Sequence, residues 1–136
     1  MAITKMTVLK FSTLVIYSLF IGYVSLLDNS SPTSNVPSID SFGISHLDKI
    51  LHLGAYGLFA SIAVLTFKNK VIQYLSCLFI IIFSALLEYF QSTIYLRQPS
   101  LTDFLANCIG VILGLVLINY LSPFLSKKFV FFKHHL

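Results

Sequence analysis

The sequence predicts an all-α fold: a polytopic membrane protein, a bundle of four transmembrane helices with both termini in the cytoplasm. Three observations carry that expectation. Hydrophobic residues fill 57% of the 136 positions and charged residues only 10%, with a mean hydropathy of +0.88. A soluble domain carries about 25% charged residues, so too little polar surface remains here to cover a water-soluble globule. The apolar residues also fall into four runs, each near the roughly 20 residues a spanning helix needs. Finally, the lysines gather on one side of those runs. The length fits a single domain, 1–136.

The first helix is expected over about 8–27. A basic start with Lys5 and Lys10 followed by an apolar run also describes a signal peptide. The run is longer than the roughly 7–15 residues of a signal core, and no small-x-small cleavage site follows before Asp28, which favours an uncleaved helix. Residues 28–47 are rich in Ser and Asn, carry Pro32 and Pro37, have no period and read as a loop. The second helix is expected over about 49–67, Lys68-Asn69-Lys70 is a tight basic turn, and the third helix covers about 71–94. The next turn holds Arg97, Pro99 and Ser100, with Pro99 disfavouring helix just before it. The fourth helix covers about 102–121 and stops around Pro123. The basic, aromatic tail that follows suits an anionic membrane surface.

Four spans put both ends on one side, together with Lys5, Lys10, Lys68, Lys70, Lys127, Lys128 and Lys133; only Lys49 and Arg97 fall on the other. Cytoplasmic loops carry the excess of Lys and Arg, so the lysine-rich side is expected to be cytoplasmic. The net charge of +4 is thus spread by membrane side, and no nucleic-acid partner is expected. The lipid bilayer is the expected partner.

Five acids, Asp28, Asp40, Asp48, Glu88 and Asp103, lie toward the opposite side. Topology explains that asymmetry but not the polar stripes that run inward from it. Asp48, His52 and Tyr56 share one face of the second helix; Glu88, Gln91 and Tyr95 one face of the third; Asp103, Asn107, Gly110 and Gly114 one face of the fourth. An ionised group facing lipid at mid-membrane costs about 2.5–3.5 kcal/mol. Turning the three stripes toward each other avoids that cost and builds a polar pocket open to the outer face.

Asp48-Lys49-x-x-His52, Glu88-x-x-Gln91 and Arg97-x-x-Ser100-x-x-Asp103-x-x-x-Asn107-x-x-Gly110, in that order, resemble the VanZ-like family of small bacterial membrane proteins across about residues 47–115. The resemblance implies a bacterial plasma (inner) membrane protein with a link to the cell envelope, since the family is named for an accessory protein of glycopeptide-resistance clusters associated with teicoplanin resistance. It implies no established reaction.

The residues themselves leave three readings open. Asp48, Lys49, His52, Glu88, Gln91, Arg97, Ser100, Asp103 and Asn107 would form a catalytic or substrate-binding site. In it, carboxylates around one His supply acid–base groups, and Arg97 with Lys49 grips a phosphate on a lipid-linked or peptidoglycan-related small molecule. Alternatively the same groups only satisfy one another and pin the helices, giving a non-catalytic scaffold; a small transporter is a minor third. No ligand pair has a recognised zinc spacing, and no metal or cofactor is expected. Gly110 and Gly114 are assigned to helix packing within the chain rather than to a dimer face, although the oligomeric state stays open. Gly54 and Gly57 also invite close approach. Cys77 and Cys108 sit at different depths and are expected to stay unpaired.

Overall fold

The computed structural model describes residues 5–26, 46–93 and 100–133, with backbone alone past 122. Within them four α-helices follow one another: α1 (Lys5–Leu26), α2 (Leu47–Thr66), α3 (Lys70–Gln91) and α4 (Leu101–Lys133). No strand occurs among the described residues. All four are long and apolar enough to cross a membrane, with mean hydropathies from 1.4 to 2.2. Hydrocarbon offers the backbone no hydrogen-bond partners, and a helix satisfies its own.

Side-chain contacts fix the register. Lys10 Nζ donates to the Leu65 carbonyl at 2.9 Å and Tyr17 Oη to that of Ala55 at 3.0 Å, so α1 and α2 run antiparallel. On α3 and α4, Lys70 bonds the Asn119 amide oxygen near one end, and Ser84 and Glu88 meet Asn107 and Ser100 toward the other, so this pair is antiparallel too. Along α2 and α4 the partners rise together, Lys49 with Asp103, His52 with Asn107 and Gly57 with Gly114, so those two helices are parallel. The result is an up-down-up-down bundle. α2 touches every other helix, and α1 and α4 make no contact with each other among the described residues.

Glycine sets the α2–α4 distance. A Cβ on Gly110 would sit on the Leu53 carbonyl oxygen, and one on Gly114 on that of Gly57. A Cβ on Gly57 would come within 3.2 Å of the Gly110 oxygen. Gly54 differs from the sequence expectation: a Cβ there meets nothing within 4 Å, so no close approach depends on it.

Two helix ends also depart from expectation. α3 stops at Gln91 rather than near 94. α4 does not stop at Pro123 but continues to Lys133. Proline deprives the carbonyl four residues earlier of its donor, here Asn119; Ser122 Oγ donates to that carbonyl at 3.2 Å and makes good the loss. The turn between α2 and α3 is closed by Gln73, whose Nε2 donates to the carbonyls of Val64 (3.1 Å) and Phe67 (2.7 Å), while Asn69 Oδ1 caps α3 by accepting from Val71 N at 2.8 Å.

Candidate functional site

The up-down-up-down order brings the start of α2, the end of α3 and the start of α4 to one end of the bundle. Four polar side chains of α3 and α4 near that end are buried: Ser84, Glu88, Gln91 and Asn107. Asn107 is 2% exposed, deep in an apolar bundle, and both ends of its amide are used. Its Nδ2 donates to Ser84 Oγ at 2.8 Å, and its Oδ1 faces His52 Nδ1 at 3.0 Å. An amide oxygen only accepts, so Nδ1 of His52 carries the proton. The other ring nitrogen, Nε2, has no hydrogen bond among the described residues. Whenever the ring is neutral, this hydrogen bond leaves Nε2 as the lone-pair base. Tyr56, one turn further along α2, is buried on the same face of that helix.

The start of α4 divides its polar work between two helices. Ser100 is the N-cap: its carbonyl accepts from Phe104 N at 3.1 Å and its Oγ from Asp103 N at 3.2 Å. In an ordinary capping box the acid three residues on, here Asp103, would reach back to the N-cap N–H. Instead Glu88 of α3 takes that donor, with Ser100 N to Oε2 at 3.2 Å. Asp103 is thereby released toward α2, where Lys49 Nζ stands 3.4 Å from Oδ1 and 2.7 Å from Asp48 Oδ2. That Asp103 Oδ1 is buried yet makes no hydrogen bond among the described residues; an ion pair at 3.4 Å supplies charge but not a directed donor.

Asp48, Lys49, His52, Asp103 and Asn107 therefore meet along the α2–α4 seam, and Glu88 joins through Ser100. Gln91 does not: its Nε2 donates at 2.8 Å to the Ser25 carbonyl and ties α3 to α1. Ser100 works as a cap. Arg97 lies outside the described residues, as does Tyr95. Sequence inspection missed Ser84, although its spacing of four before Glu88 and seven before Gln91 puts it on the same face of α3 and was the available signal. Among the described residues no group of three or more His, Cys, Asp and Glu side chains is placed to hold a metal ion. Both cysteines are free thiols.

The bundle and its buried polar end define a class: small multi-pass membrane proteins with a polar cluster set among their helices. Within that class the chain matches the VanZ/LLP1 family model over residues 3–122 and belongs to that family. No curated protein and no solved structure matches it.

Proposed function

We propose that the cluster is an extracytoplasmic binding site for the polar head of a lipid-linked or other cell-envelope molecule, and that His52 acts on that head as a base. The observation that carries this reading is a pair of groups at one seam that make no hydrogen bond among the described residues: His52 Nε2, whose partner nitrogen is committed to Asn107, and Asp103 Oδ1, buried with Lys49 Nζ at 3.4 Å. Pinning helices together does not call for an open ring nitrogen, and a buried acceptor such as Asp103 Oδ1 left without a hydrogen bond costs about 1–3 kcal/mol. Three carboxylates, Asp48, Glu88 and Asp103, stand against the single ammonium of Lys49 among the described residues. That balance suits a head bearing hydroxyl or amine donors; grip on a phosphate would fall to Arg97. In this reading the lysine-rich ends of the helices face the cytoplasm of a bacterial plasma membrane, and the family membership links the process to antibiotic resistance, to glycopeptides in the first place.

The experiment is a comparison of His52→Ala and Asp103→Asn with the unaltered chain in a strain whose glycopeptide susceptibility depends on it. Loss of the phenotype with membrane abundance unchanged is the expected result. The scaffold reading has its own support in the Glu88–Ser100, Asn107–Ser84 and Gln91–Ser25 bonds, each of which joins two helices. It expects abundance and melting temperature to fall in step with the phenotype.

A further inference from the structure

The opposite end of the bundle holds a second feature that the polar cluster leaves unexplained. On this half of the bundle α1 meets its neighbours at two levels, with Leu14 packed toward the core between them. At the rim, the Phe11 and Phe67 rings meet edge to face at 5.4 Å and Lys10 Nζ reaches the Leu65 carbonyl. Deeper, Tyr17 and Phe59 meet at 5.5 Å. Between the two levels lies a crevice of about 380 Å³, walled by Leu14, Val15 and Ser18 of α1, with Phe59, Ala63 and Ile80 on its floor. Val15, Ile72, Leu75 and Phe79 along it are 42–63% exposed, so it opens on the lipid-facing surface. An apolar gap of that size cannot stay empty in a bilayer without forfeiting the dispersion contacts of its walls. Hydrocarbon chains are what surrounds it.

The rim selects which lipid. Lys10 stands one turn above Leu14, and Lys68 directly follows the rim residue Phe67. Lys68 is exposed and has no partner among the described residues. No described Asp or Glu lies at this end; all four helices bring their acids, where they have any, to the other one. We propose that this crevice is a binding site for an anionic phospholipid, one acyl chain lying between α1 and α2–α3 and the phosphate held at the rim by Lys68 and Lys10. The site is separate from the polar cluster and does not depend on its role.

The test uses the full chain in detergent micelles, offered an equimolar mixture of phosphatidylglycerol and phosphatidylcholine with matched acyl chains and read by native mass spectrometry. Phosphatidylglycerol is retained in preference. Lys68→Gln weakens its retention about fivefold, the equivalent of about 1 kcal/mol for one lysine at an anionic surface. Ser76→Phe, which fills the crevice from α3, reduces retention of both lipids, while a melting curve checks that each variant is folded. Equal retention of the two lipids, retention unchanged by both substitutions, or a second copy of the chain found in place of lipid overturns the proposal.

Discussion

Asn107 is the residue on which the polar cluster turns, because it serves two helices with one amide. Its Oδ1 fixes the His52 ring and its Nδ2 occupies Ser84. Asn107→Leu keeps the volume nearly constant but strands both partners in an apolar interior. A loss of about 2–4 kcal/mol is expected, at about 1–3 kcal/mol for each orphaned group and less where a partner can turn to another. Denaturant unfolding in detergent measures it. Glu88 offers a finer distinction. Its structural duty is to accept the Ser100 N–H, which Glu88→Gln can still do through its amide oxygen, whereas Glu88→Ala cannot. Stability should therefore drop for Ala and hold within about 1 kcal/mol for Gln. A site that also needs the negative charge loses function in both. His52 and Asp103 were legible in the sequence as polar residues that had no reason to face lipid. Their partners were not: spacing puts residues on a face but cannot say which opposing side chain completes each bond.

At the scale of helices, the parallel packing of α2 against α4 depends on three glycines and not on the fourth. Gly110→Ala and Gly114→Ala each drive a methyl group into a backbone carbonyl of α2, and backbone cannot step aside as a side chain can. A cost of about 1–3 kcal/mol is expected for such overpacking, with a lower melting temperature in detergent and, because His52–Asn107 and Lys49–Asp103 bridge the same seam, a disturbed polar cluster. Gly54→Ala should have the opposite sign. Its Cβ meets nothing, so the substitution only removes the intrinsic penalty of glycine inside a helix, about 0.5–1 kcal/mol. The four glycines look alike in sequence, at helical spacing in apolar runs. Only the crossing of the two helices separates those that are required from the one that is not. α4 teaches a related lesson at Pro123. A proline reads as a stop until a neighbouring hydroxyl supplies the missing donor, as Ser122 does here.

For the molecule as a whole, the consequence that matters is sidedness. The helix order sets Lys5, Lys10, Lys68 and Lys70 at one end and Asp48, Glu88 and Asp103 at the other. The excess of lysine should hold the first end in the cytoplasm. With Cys77 and Cys108 replaced by Ala, a thiol introduced as Thr102→Cys should react with a membrane-impermeant maleimide on intact cells. One introduced as Lys68→Cys should react only once the cells are opened. The reverse pattern would place the candidate site in the cytoplasm and remove the envelope substrate from consideration.

Length and hydropathy of four segments decided the fold class from sequence alone, because a chain with so few charges has only the bilayer as a solvent and only the helix as a spanning form. Helical periodicity likewise assigned Asp48, Glu88, Asp103, His52 and Asn107 to inward faces, since the cost of a polar group in hydrocarbon acts on each helix separately. What passes between helices was settled by tertiary structure. That includes the transfer of the α4 cap to Glu88, the release of Asp103 toward Lys49, the turn of Gln91 to α1 and the recruitment of Ser84. Each of these depends on how two helices cross and how far apart they stand, which no single run of residues encodes; for α2 and α4 the backbone contacts at Gly57, Gly110 and Gly114 fix it.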